Sequence, residues 1–299
     1  MVAMSRGLLA ALAVLAIAAP AAGAHGSVAP GAPGAKAWWT PADKDGFGTA
    51  ASLDSKLWHT LEQGELTEVY YPDLGTPSIR DLQLVVSDGR TFADRERDAT
   101  THRVELVDRR SLTYRQIDTA KSGAYRIVKT YVTDPSRSTL LIDVSFQSLT
   151  GKPYKVYALL DPALSNDGND DNGTSKHGLL LTQDAKAGSA LIAQPSFGRT
   201  STGYLDASDG WTDLRDDFTM DWTYRSSPNG NVVQTAQTAL DGVRHRGEAA
   251  LQRGLRVAER GARLRRGLAP LPRLPEPGAG ERGALCPRVR RLGHDPRRP

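Results

Sequence analysis

The chain has 299 residues, with 38 Lys+Arg against 34 Asp+Glu for a net charge of +4, and 39% of its residues are hydrophobic. Its single cysteine, Cys286, excludes a disulfide framework, so stability has to come from a hydrophobic core. A body of this size can supply one, burying about 70% of its unfolded surface.

Residues 7–22 read GLLAALAVLAIAAPAA, preceded by Arg6 and followed by the A-x-A pattern Ala22-Gly23-Ala24. This predicts a secretory signal peptide over 1–24, too short and wrongly flanked for a membrane span. No other stretch approaches the roughly 18 apolar residues that a spanning helix needs. The expectation is a secreted, extracellular protein with no membrane association after cleavage. Residues 25–37 then read as a flexible leader. Cleavage after Ala24 would make His25 the N-terminus, where amine and ring can hold copper with a second histidine among His59, His102 and His177. The competing reading is a disordered terminus.

From 38 to 243 the recurring period is two. Leu82, Leu84 and Val86 alternate with Asp81, Gln83 and Val85; Tyr125, Ile127 and Tyr131 share one side of AYRIVKTYV; Leu140, Ile142, Val144 and Phe146 share one side of theirs. HRVELVD, KVYALLD and FTMDWTY add further strand candidates. Residues two apart face the same way on a strand, so each segment is expected to bury one face. Ser87-Asp88-Gly89, Asp134-Pro135, Thr150-Gly151 and Pro228-Asn229-Gly230 are turn signals between them. The pattern predicts an all-β fold, one large antiparallel sandwich. In LTEVYYPDLGTPSIRDLQLVV, Pro72 and Pro77 place a turn between two strands. Tyr70 and Tyr71 there point to opposite faces, so one of them is free to meet a partner.

Three further groups could carry chemistry. In SNDGNDDNG, residues 165–173, Asp167, Asn169 and Asp171 have the alternate spacing of a calcium loop and offer hard oxygen ligands. The twelve-residue EF-hand pattern fails, with Asn172 and Gly178 where Gly and Glu are needed, and an Asx-rich loop also forms by capping its own backbone. In ASDGWTDLRDD, Trp211 sits on a polar loop as a ring that could stack on sugar, with Asp209 and Asp213 beside it to bind hydroxyls; the alternative is a tryptophan buried against another domain. Asp216 and Asp217 form a carboxylate pair, but neighbours on a strand point apart, which suits a solvated face. No zinc-spaced His/Cys set and no G-x-S-x-G elbow occurs. No cofactor is required by any motif; calcium is the one that the loop would take.

Composition changes at Arg244. Residues 244–299 hold 15 Arg, 8 Gly, 8 Leu, 7 Ala and 7 Pro, no Lys, Ser, Thr, Asn, Ile or aromatic residue, and 5 acids. That is a net +10, leaving −6 for residues 1–243 of the +4 total. A basic tail could bind nucleic acid, but Lys is absent and the protein is expected outside the cell, so no nucleic-acid partner is expected. Two readings remain, a short helical segment and a GC-rich gene read out of frame; either predicts a disordered or weakly helical tail.

Four segments resemble a known domain: WHTLEQGELTEVYYPDLGTPSIRDLQLVVSDG (58–89), DPALSNDGNDDNG (161–173), GYLDASDGWTDL (203–214) and NGNVVQTAQ (229–237). Together, and in this order, they resemble the N-terminal domain of bacterial glucoamylases and glucodextranases, over about residues 38–243. The resemblance implies a galactose-mutarotase-like sandwich packed against an (α/α)6 barrel in a secreted, inverting, exo-acting α-glucan hydrolase. The two catalytic glutamates of that family sit in the barrel, so the resemblance assigns no catalytic residue here. The expected partners are the missing catalytic barrel or an α-glucan. The expected role is a non-catalytic domain truncated before the barrel; the alternative is a stand-alone carbohydrate-binding module using Trp211, Tyr70 and Tyr71.

Overall fold

The computed structural model describes residues 25–240 and the backbone of 253–259. The expected signal peptide lies outside the described residues. Numbered in chain order, the strands are β1 (His25–Val28), β2 (Gly46–Thr49), β3 (Trp58–Glu62), β4 (Glu65–Tyr70), β5 (Pro77–Ser87), β6 (Ala93–Arg95), β7 (Thr100–Asp108), β8 (Thr113–Ala120) and β9 (Tyr125–Thr133). They continue with β10 (Thr139–Ser148), β11 (Lys155–Pro162), β12 (Asp171–Lys176), β13 (Leu179–Gln183), β14 (Gly188–Gln194), β15 (Thr200–Tyr204), β16 (Thr223–Gly230), β17 (Val232–Gln237) and β18 (Arg253–Glu259). Among the described residues two short α-helices interrupt them, α1 (Glu96–Ala99) and α2 (Gly210–Asp217), with a 3-10 turn at Leu164–Asn166. No helix among the described residues is long and apolar enough to cross a membrane.

The strands form a ten-stranded sheet, β1-β16-β12-β13-β14-β18-β10-β9-β8-β7, and an eight-stranded sheet, β15-β17-β11-β5-β4-β3-β2 with β6 on β5. The two share one core, as expected for a large sandwich. Tyr125, Ile127 and Tyr131 of β9 and Leu140, Ile142, Val144 and Phe146 of β10 meet Leu82, Leu84 and Val86 of β5 and Val156, Ala158 and Leu160 of β11. Those are the alternating residues read from the sequence, and each fully buried aliphatic stabilises the fold by about 1.5–3 kcal/mol. Register sets the faces: Ile142 pairs with Tyr131 and Phe146 with Ile127, so both strands turn the same set inward. Lys129 shares that inward side. Its ammonium lies 2.7 Å from Glu96 and 3.3 Å from Asp118, and donates to the Gly64 carbonyl at 2.8 Å.

The expectation of one buried face per strand fails for the eight-stranded sheet. β5 is buried along nearly its whole length, as is β11. A second cluster, Val85, Tyr157, Leu159 and Val233 with Leu214 and Met220, covers the side away from the core. The segment expected as a polar loop around Trp211 is helix α2, which supplies Leu214 to this cluster, and FTMDWTY becomes strand only at Thr223.

The leader is not flexible over 25–37. β1 pairs in parallel with β16, and the chain then bonds its way across the body. Ala29 N donates to Ser226 O at 2.8 Å, Ala35 N to Leu205 O at 2.9 Å, Asn231 N to Pro33 O at 2.8 Å and Ser208 Oγ to Pro30 O at 2.7 Å. Pro30 and Pro33 fix their backbones, and Gly31 and Gly34 take φ of +86° and +80°, which only glycine adopts freely, so composition that reads as a linker here builds a strap.

Within the Arg-rich segment, residues 253–259 form β18, between β10 and β14. The expectation of a disordered or weakly helical tail therefore does not hold for these seven residues, and the sheet extends past 243; the remainder of 244–299 lies outside the described residues. Leu255 and Val257 stand at register positions facing Ile142 and Leu140 of β10. Backbone pairing explains the placement: without β18, β10 and β14 would each present a row of unmatched N–H and C=O groups. Ending the chain at 243 should accordingly lower the melting temperature by several degrees and promote association, measured by thermal melts and size-exclusion chromatography; an unchanged melt would show that the sheet closes without β18.

Candidate functional site

The outer side of the eight-stranded sheet carries an unusual density of buried charge. At the start of β5, Arg80 and Asp81 interrupt an apolar run, and Asp161 stands beside them at the end of β11. The Arg80 guanidinium donates through Nε to Asp161 at 2.8 Å and contacts Asp81 at 2.7 Å through Nη2. Arg80 is 7% exposed, Asp81 1% and Asp161 2%. Glu65 of β4 pairs with Arg97 of α1. Arg80 Nη1, Asp161 Oδ1, Gln83 Oε1 and Thr235 Oγ1 are buried with no protein partner.

Burial raises the Glu65 carboxyl to about 9, with Asp81 adding to the shift and Arg97 opposing it. Burial likewise raises Asp161 to about 7, against the attraction of Arg80. For Arg80, burial works against the charge, and Asp81 and Asp161 outweigh it. Asp81 and Asp161 flank the Arg80 guanidinium as its counter-charges, and Glu65 bonds Arg97.

Above this layer, the Trp38 ring lies 4.4 Å from the Arg80 guanidinium and is 50% exposed. At the other flank Arg95 lies 4.3 Å over the Trp211 ring. Trp211 is half-buried against the second cluster, so one ring face is already occupied by a cation. Asp209 is the N-cap of α2: it accepts from Trp211 N at 2.8 Å, Thr212 N at 3.0 Å, Thr212 Oγ1 at 2.9 Å and Asp206 N at 2.7 Å. Asp213 is buried, accepts from Trp222 N at 2.8 Å, and is pushed up to about 6 by burial. Both carboxylates thus face inward onto backbone N–H groups. Asp216 and Asp217 are exposed in the last turn of α2, not on a strand.

Tyr70 ends β4, half-buried, its hydroxyl 3.5 Å from Glu68 Oε2, and burial raises it to about 12. Glu68 and Glu62 are bridged by Lys44 at 2.8 Å each. Tyr71 follows outside the strand, and the next four residues form an exposed loop tied by Asp73, whose Oδ1 accepts from Gly75 N at 2.9 Å and Thr76 Oγ1 at 3.0 Å. Leu74 at its tip is 52% exposed.

The Asx-rich loop takes a different arrangement from its spacing. Asp167 and Asn169 bond each other, Asn169 Nδ2 to Asp167 Oδ1 at 2.7 Å, and Asn169 Oδ1 accepts from Ala37 N at 3.1 Å. Asp171 instead converges with Asp170 and Asp184, carboxylate oxygens of all three lying within 4.8 Å of one another. The histidines named as copper ligands are dispersed. His59 is buried beside Tyr131 with its pKa lowered to about 4 by burial, His102 is 3.5 Å from Asp45, and His177 is exposed in the β12–β13 turn; the side chain of His25 lies outside the description.

Sequence reading missed Arg80, Asp81, Asp161, Glu65 and Arg97. A signal was present, since adjacent opposite charges inside a strand-like apolar run have to be paired if that run is buried on both faces.

Comparison with known proteins covers most of this body. Residues 29–263 match the family described as glucodextranase, domain N. A glucoamylase of Clostridium sp. (strain G0005) is 33% identical over 208 residues, 68% of this chain and 30% of that protein. A crystal structure of a bacterial glucoamylase complexed with acarbose superposes with a TM-score of 0.72 at 29% identity, covering 79% of this chain and 35% of that one. The chain thus spans about a third of the length of the relatives it matches.

Two outcomes are expected at this site. Arg80→Met strands two buried carboxylates and should cost about 3–5 kcal/mol. Asp161 already has a folded pKa above its unfolded value, so its protonated form favours folding at low pH and that contribution is lost as pH rises through about 7. The loss in the variant should therefore be larger at pH 8 than at pH 5, read from urea melts at both. Asp209→Ala should cost about 1–2 kcal/mol by uncapping α2, read from the same melts.

Proposed function

This chain belongs to the glucodextranase N-domain family, and from that membership we propose that it is the non-catalytic N-terminal sandwich of an exported α-glucan hydrolase. Its role in this reading is to brace a catalytic (α/α)6 barrel. The match over 29–263 to a domain N, together with coverage of only about a third of two glucoamylases, carries the proposal.

The chemistry of the described carboxylates supports it. Inverting hydrolysis needs a carboxylic acid and a carboxylate about 6.5–9.5 Å apart with room for sugar and water between them. Asp81, Asp161 and Glu65 are buried against guanidinium groups, and Asp209 and Asp213 against backbone N–H groups. Their geometry suits a rigid support. The proposed contact with the barrel is made by Trp38, Tyr71 and the loop bearing Leu74, which carry apolar surface to solvent.

Three measurements on the full chain test this. Incubation with starch or dextran should release no glucose above background. Titration with malto- and isomaltooligosaccharides should show no saturable binding. Mixed with the separately produced barrel domain of a related glucoamylase, the chain should co-elute, and Trp38→Ala should weaken the complex several-fold. Glucose release, or saturable millimolar sugar binding without barrel binding, would replace the proposal with a hydrolase or a carbohydrate-binding module. Export is tested by the mature N-terminus: mass spectrometry of secreted protein should find cleavage close to Ala24.

A further inference from the structure

We propose that Asp170, Asp171 and Asp184 form a calcium site that fastens the base of the β12–β13 hairpin to the loop before it. The three residues come from two directions. Asn172 and Gln183 are register partners, so Asp171 and Asp184 are the next pair along the hairpin. Asp170 precedes Asp171 on the exposed side. One carboxylate oxygen from each lies within 4.8 Å of the others. Oxygens bound to calcium at about 2.3–2.6 Å can be at most about 5 Å apart, so the trio fits around one ion.

A second observation points to a ligand. Asp171 is 0% exposed, and while its Oδ2 accepts from Leu164 N at 3.1 Å, its Oδ1 has no partner. An unpaired buried carboxylate oxygen is costly, and the neighbours make it worse, since Asp184, Asp170 and Asp167 all bear the same sign. Among the described residues, no ion pair within 4.0 Å involves any of these four acids. A bound cation supplies the missing counter-charge.

Asp184 is already held in place. Its Oδ1 accepts from Lys186 N at 2.6 Å and Ala187 N at 2.5 Å, and Ser165 bonds the same carboxylate. The loop leading to Asp170 is tightly packed: a Cβ on Gly168, at φ +71°, would come within 2.7 Å of Ala163 Cβ. The all-carboxylate set selects a hard cation over zinc or copper. Calcium is favoured over magnesium because it accepts irregular oxygen sets, whereas magnesium demands near-octahedral geometry.

The full chain, stripped with chelator, is titrated with calcium chloride by calorimetry, and its melting is compared in calcium and in EDTA. One saturable site is expected, in the range of about 10⁻⁴–10⁻³ M common for extracellular modules, with a melting temperature that rises in calcium and returns in EDTA. Asp184→Asn and Asp170→Asn should each weaken binding at least tenfold, while Asp167→Asn changes it less than threefold. Asp170 is exposed, so its variant decides the matter should Asp184→Asn fail to fold. Absence of saturable binding in the unaltered chain, or calcium binding unchanged in Asp170→Asn, overturns the site. Magnesium binding as tight as calcium overturns the assignment of the ion.

Discussion

The eight-stranded sheet is buried on both faces, and its two faces are buried by different means. Toward the ten-stranded sheet it offers Leu82, Leu84, Val86 and their neighbours, which pack without directional demands. Away from it, the same strands carry Arg80, Asp81, Gln83 and Asp161. Charges can be taken out of water only when each is matched, because an isolated buried ion costs several kcal/mol. Arg80 held between Asp81 and Asp161, two strands that meet only after folding, satisfies that demand. Trp38 lies directly on this match, its ring 4.4 Å from the Arg80 guanidinium.

The same constraint explains what the acidic residues do. Asp209 and Asp213 sit beside a tryptophan on a short helix, a combination that invites a sugar-binding reading from sequence. In the fold they satisfy N–H groups at the start of α2 and at Trp222, and the Trp211 ring is backed by Arg95. They hold the helix onto the sheet. Lys129 plays a comparable part in the inter-sheet core, bonded to Glu96 and the Gly64 carbonyl, where it links β9 to the β3–β4 hairpin and α1. Such pairs tie together strands and helices that are distant in sequence, which suits a domain whose proposed task is support.

Much of this was legible in one dimension. The strands β9 and β10 follow from alternation, because side chains two apart share a face whatever the surroundings, while β5 and β11, buried on both sides, read as strands without showing their second buried face. Asp73 and Asp88 announce turns because their carboxylates reach backbone N–H groups two and three residues on. The four family-like segments lie within residues 29–263, which match the glucodextranase N-domain family. The leader misled because Pro and Gly mark linkers and straps alike, and only the partners at Ser226, Leu205 and Asn231 separate the two. The D-x-N-x-D spacing could not bring in Asp184, which meets Asp170 and Asp171 from just beyond the end of β13.

By itself the sequence determined the strand periodicity, the turns, the inward-facing apolar set and the family, since each of these rests on local geometry or on the order of residues along the chain. Tertiary structure alone decided which charges are buried in pairs, which carboxylates converge, and that residues 253–259 fill a slot between two strands far from them in sequence. The physical reason is common to all three. Coulombic matching and backbone pairing are satisfied by whatever group arrives within about 3 Å, and arrival is a property of the folded chain.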